Sequence, residues 1–402
     1  MKFFASGRFN RLVGWAMLIV GMAAMAVLDP WVFGQRDAAE LLGSERMQLR
    51  HAQGVILVMA LLQLVVGYVL TTRAFQSRFS VQSSILTGVG AILYAGGYTL
   101  VVWHPFAKWM VLIGCSLNLI VFLKALGVKI GGSGVKHVRL ILPILCFGMF
   151  LDLLTILFVF FPELVSMDWL GTEEDVRLRM LRLARVAVIA LTVLTSLYFE
   201  LAYRVNLRNR IVAWGHHSLL GGTIGMPLVL AAACFTFLNL KYLLPLPATL
   251  VCLGALAGLH LAWKHGGRLE QLGWAIIAGS LFIGMGIGMY AFDGPLPAPT
   301  GMEQYQGFAR RLLRIGHGYA IVFGILTIFL AQRFQGQRRL RVIRRIGIGL
   351  YLAGMGATLL ALTLVAWAII PIEATAIGPA ATSLGLLLCV TNLRPDHSPS
   401  SP

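Results

Sequence analysis

Apolar residues run along this chain in blocks of seventeen to twenty-five, broken by short basic, glycine-rich or proline-rich stretches. A helix of about 20 such residues crosses the roughly 30 Å hydrocarbon core of a bilayer with every backbone polar group bonded internally. The blocks fall at 12–28, 52–71, 82–103, 108–126, 138–161, 184–203, 215–238, 242–263, 271–292, 315–333, 346–370 and 375–392. The pattern predicts an all-α membrane protein of twelve transmembrane helices, one polytopic domain over residues 1–402. No small-residue cleavage site follows the first block, so it is read as a retained helix.

Composition agrees: 58% of the residues are hydrophobic and only 12% charged, with a mean hydropathy of +0.81, outside the range of soluble globular chains. The net charge of +17 raises the question of nucleic acid, but the basic residues punctuate the ends of spans and form no patch. With a cytoplasmic N-terminus, roughly two thirds of the Lys and Arg fall on the cytoplasmic side, which the positive-inside rule favours. Both termini are then expected in the cytoplasm, the lipid bilayer is the expected partner, and the bacterial inner membrane is the expected location. Cys115, Cys146, Cys234, Cys252 and Cys389 all lie inside apolar blocks without metal-ligand spacing, and read as packing residues.

An internal repeat is visible. "RMQLRHAQGVILVMALL", "RMLRLARVAVIALTVLT" and "RLLRIGHGYAIVFGILT" start at residues 46, 179 and 311, each an arginine-rich lead into the second helix of a set of four. "GWAMLIVGMAAMAVLDP" and "GWAIIAGSLFIGMGIGMYAFDGP" match in the helices before them. Three repeats of four helices are expected, at about 1–132, 133–265 and 266–402.

The repeat puts His51, Arg185 and His317 at one depth near the outer face. Two imidazoles at one level could hold one haem iron between them, a six-coordinate centre suited to electron transfer. Gly54, Gly318 and Gly324 would leave room for a flat macrocycle. Arg46, Arg50, Arg179, Arg182, Arg310, Arg311 and Arg314 lie on the same side, where forked guanidinium groups suit haem propionates. The same arginines could instead pair with local acids or lipid phosphates, and each histidine could be an interfacial side chain reaching for the headgroups. Asp152 is an acid near mid-span. Such a group costs about 2.5–3.5 kcal/mol on insertion scales, so it is a candidate for a proton-linked role. His216 and His217 open a helix from the opposite side and read as interfacial, while Glu200 can reach Arg204 one turn on.

The pattern resembles the catalytic subunit of the haem-copper oxidase superfamily, with twelve helices in three arcs of four, and the related NnrS-type membrane proteins. The resemblance rests on His51 in "RHAQG" and His317 in "IGHGYAIVFG", where Tyr319 stands in place of a second histidine. It implies one haem b held by His51 and His317 with Tyr319 beside it, for electron transfer, sensing or respiratory-complex assembly. The partners would be an electron donor or other respiratory subunits. The copper ligands are missing: Arg185 occupies the helix-6 position and "LNLKYLLPLPA" replaces the histidine pair, so terminal oxidase activity is not expected. A transporter, or a scaffold subunit without cofactor, remains the alternative.

Overall fold

The computed structural model describes residues 7–33, 45–71, 77–128, 135–164, 174–205, 210–289, 307–334 and 342–391. Among them are twelve helices long and apolar enough to cross a membrane, and no strand. They are α1 (Arg8–Phe33), α2 (Glu45–Thr71), α3 (Ser77–Leu100), α4 (Lys108–Leu126), α5 (Val135–Phe160), α6 (Glu174–Val205), α7 (Arg210–Phe235), α8 (Pro245–His265), α9 (Arg268–Met289), α10 (Phe308–Phe334), α11 (Val342–Ala366) and α12 (Ile377–Thr391).

Three helices begin well before the apolar blocks, by seven to ten residues. α2, α6 and α10 start at Glu45, Glu174 and Phe308, so the arginine-rich leads are their first turns and not loops. The reason is periodicity: Met180, Leu181, Ala184 and Val188 are buried at helical spacing between the arginines.

Each helix packs on its chain neighbours, and α12 packs on α1, which closes a ring. α2 and α6 touch across that ring, as do α6 and α10, while Gln53 of α2 bonds Tyr319 of α10. These three inner helices begin at the same end of the bundle, called here the arginine end. Small residues set the close crossings. On α3 and α4 a Cβ added to Gly90 would lie 2.9 Å from the Gly114 carbonyl oxygen, and on α11 and α12 one added to Gly347 would lie 3.0 Å from that of Gly385. On α9 and α10 a Cβ at Gly273 would lie 2.8 Å from the Gly324 oxygen. A short 3-10 turn joins the third to the fourth helix of each set of four: Pro105–Ala107, Leu238–Leu243 and Ile372–Ala376.

Polar side chains tie the helices together where lipid offers them no partner. Asn10 of α1 donates to Gln63 of α2 at 2.7 Å, and to the Ser84 carbonyl at 3.1 Å and Thr87 at 2.9 Å on α3. Arg177, in the first turn of α6, caps the end of α7 through the Cys234 and Thr236 carbonyls at 2.7 and 3.0 Å. All five cysteines are buried and free.

Candidate functional site

Two buried acid–arginine–tyrosine clusters lie toward the arginine end. In the first, Asp29 of α1 meets Arg50 of α2, with Nε 3.5 Å from Oδ1. The Tyr319 hydroxyl of α10 sits 3.0 Å from Oδ2 and 3.2 Å from Oδ1, and Gln53 donates to that hydroxyl at 3.4 Å. Arg50 also donates to Gln53, and its guanidinium carbon lies 5.0 Å from the Tyr319 ring centroid. In the second, Arg185 of α6 bonds Asp152 Oδ1 of α5 at 2.6 Å and the Tyr98 hydroxyl of α3 at 3.1 Å. Tyr94 donates to Asp152 Oδ2, and the rings of Tyr94 and Tyr98 meet edge to face at 5.2 Å. Asp152 therefore has both oxygens engaged within a closed ion pair.

The two histidines do not meet. Successive residues of a helix advance by about 100°, so two residues turn it by about 200°. Gln53 and Tyr319 join α2 to α10, and His51 and His317, each two residues earlier, leave their helices on nearly the opposite sides. His317 turns to α9: its Nδ1 lies 2.7 Å from the Ser280 carbonyl oxygen and 3.0 Å from Ser280 Oγ. His51 has an exposed side chain on α2. The arrangement does not fit a haem clamped between these two imidazoles.

One ring nitrogen of His317 is tied to α9. A carbonyl oxygen can only accept a hydrogen bond, so Nδ1 carries the proton; the Ser280 hydroxyl, which donates to the His317 carbonyl at 2.8 Å, accepts from it too. In the neutral ring the lone pair then belongs to Nε2, which has no hydrogen-bond partner among the described residues. Metal-ligating histidines commonly donate their other ring N–H to a backbone carbonyl in this way. Gly284 makes the pose possible, because a Cβ there would overlap the ring.

The remaining expected residues divide. Arg310 and Arg311 are buried in the first turn of α10, with the Arg311 guanidinium carbon 5.8 Å from the Phe308 ring centroid. Arg179, Arg182 and Arg314 are half-buried, and the side chain of Arg46 lies outside the described residues. Gly54 and Gly318 border open space, with nothing within 4 Å of an added Cβ. Gly324 does not: it is pressed against Gly273 and Ile277 of α9 and is a crossing glycine. Arg204 has Glu200 at 3.9 Å, but its closer partner is Glu270 of α9. The His216 ring lies tilted against Phe199, with centroids 4.5 Å apart, at the far end of the bundle. Among the described residues no group of three or more His, Cys, Asp or Glu is gathered, so no protein-only zinc or copper cage is formed there.

Sequence reasoning passed over Tyr94, Tyr98, Ser280 and Gly284. Their types carry no signal in an apolar helix, and only the facing helix reveals their use. Asp29 was visible as the acid before a proline in the first matched helix, but Arg50 as its partner was not. No family model matches this chain, and no curated protein is significantly similar to it.

Proposed function

We propose that the chain is an integral membrane protein that binds one haem b through His317 alone, in a haem-copper-oxidase-like arrangement of three four-helix repeats. The observation that supports this is the anchored Nδ1–H and unpartnered Nε2 of His317 over Gly284. His317 would hold the group by one imidazole alone, and a haem so held would supply binding of a small neutral molecule rather than an electron relay. The reading is therefore a sensing or respiratory-complex assembly role in the bacterial inner membrane. With both termini in the cytoplasm, His317 and the half-buried Arg314 one turn before it lie toward the outer face, where a guanidinium can meet a propionate.

The test is spectroscopic. Protein purified in detergent from haem-replete cells should give a reduced-minus-oxidised haem b spectrum that carbon monoxide perturbs. His317→Ala should remove it and His51→Ala should leave it. A colourless but monodisperse preparation rejects the proposal, as does a spectrum lost in both variants and insensitive to carbon monoxide. A second reading, a scaffold subunit without cofactor, is favoured by the two acid clusters that satisfy themselves internally. It predicts the colourless outcome, with co-purifying respiratory subunits.

A further inference from the structure

Away from the arginine end, the last turns of α2 and α4 and the first turns of α3 and α5 enclose an apolar cavity of about 30 Å³. Its walls include Val65 and Val66 of α2, Phe79 of α3, Phe122 and Ala125 of α4, and Ile141 of α5. Residues three apart share one face of a helix, and Phe122 with Ala125 on α4 turn such a face to the cavity. Ala125 is the smallest of the apolar wall residues, so α4 contributes least bulk there.

Ser83 of α3 is the one wall residue with a polar side chain, and no polar atom is exposed inside the cavity. Every wall residue except Phe79 is buried, and Phe79 is half-buried. Its ring marks the side on which the space meets its surroundings.

We infer that this cavity is a binding site for one small apolar gas molecule of the size of dioxygen. A water-sized sphere occupies about 10–15 Å³, so the space takes at least two in contact, the outline of a diatomic molecule. Water is disfavoured, because a buried water needs at least two polar partners and the walls present none. An ion is disfavoured more strongly still, since nothing there replaces its hydration. A phospholipid tail needs an open slot along its whole length, and the buried walls on α2, α4 and α5 do not provide one. An apolar guest restores to the wall atoms the dispersion contacts that a void forfeits. Apolar gases dissolve more readily in hydrocarbon than in water, so the bilayer itself delivers them to the site. The inference does not depend on the reading of His317.

Dioxygen is paramagnetic and speeds the relaxation of methyl groups it touches. The test is methyl NMR of the full-length protein with labelled isoleucine δ1-methyl groups, equilibrated in turn with dioxygen and dinitrogen. Ile141 in the wall is 4% exposed, Ile120 of α4 is 44% exposed, and Ile277 of α9 is fully buried outside the cavity. The dioxygen enhancement at Ile141 should lie well above that of Ile277 and approach that of Ile120. In Ala125→Leu, whose added methyl groups occupy the space, it should fall to the level of Ile277; if that variant does not fold, Val121→Ile narrows the same cavity and should lower it. An enhancement at Ile141 no greater than at Ile277 in the wild-type protein overturns the inference, and so does one that persists unchanged in a folded, filled variant. Broadening of Ile141 by a doxyl-labelled phospholipid to the extent seen at Ile120 also overturns it, by putting an acyl chain in the site.

Discussion

Replacing Asp152 by Leu should destabilise the protein more than replacing Asp152 and Arg185 together. Asp152 is 2% exposed and sits 2.6 Å from the Arg185 guanidinium, so removing either partner strands the other charge away from water. That situation costs about 3–5 kcal/mol, whereas a buried pair exchanged for apolar residues of similar volume is close to neutral. The double variant also leaves the Tyr94 and Tyr98 hydroxyls without their charged partners. At about 1–3 kcal/mol for that loss, it should lie well above either single variant. An unfolding entropy near 2 cal/mol/K per residue turns these figures into midpoint drops of about 4–6 °C for each single variant and about 1–4 °C for the double. Thermal unfolding of the four purified proteins in one detergent, followed by tryptophan fluorescence, gives the comparison. A double-variant drop of about 8–12 °C, the two singles simply added, would refute the argument that the pair is worth more broken than absent.

Three further expectations follow from the geometry. Gly284→Ala should push the His317 ring off its seat and cost about 1–3 kcal/mol of overpacking, and under the proposed haem reading the haem content should drop with it; unchanged haem content would deny Gly284 a positioning role. Asn10→Leu should lower the unfolding free energy by roughly 2–6 kcal/mol, because Gln63 and Ser84 lose a buried partner at about 1–3 kcal/mol each, and a steric-trapping measurement that finds less than about 1 kcal/mol, half the lower bound, would discount the Asn10 hydrogen-bond cluster. Glu163, on the short loop after α5, is held below the ordinary glutamate range first by its hydrogen bond from Lys108 at 2.9 Å. Its pair contributes fully above the unfolded value of about 4.3 and fades as the pH falls through the lowered folded value. The midpoint gap between wild type and Lys108→Gln should therefore be present at pH 6 and close below pH 4, and a gap that widens on acidification would reverse the sign.

The number and order of helices were legible in the sequence because lipid imposes one rule on every span, and twenty apolar residues announce themselves. Their ends were less so: arginines read as loop, yet between Arg179 and Arg185 the buried Met180, Leu181 and Ala184 carry the helix on. The site was harder still. His51 and His317 share a motif and stand at one end of the bundle, but a register difference of two residues, the distance from His317 to Tyr319, decides which neighbour a helix faces. A one-dimensional repeat carries depth and not azimuth. Tyr319, expected beside a cofactor, instead completes the Asp29–Arg50 pair, and Arg185, expected at the depth of the histidines, faces Asp152.

The closed ring has a consequence for biogenesis. Ser383 of α12 donates to the Ile19 carbonyl of α1 across 364 residues of chain, so α1 enters the bilayer long before the neighbour that seals one of its flanks has been synthesised. During that interval its open side must be screened by lipid, by an insertase or by a chaperone. Ribosome stalling between α10 and α11 should thus leave α1 accessible to crosslinkers that the finished protein excludes.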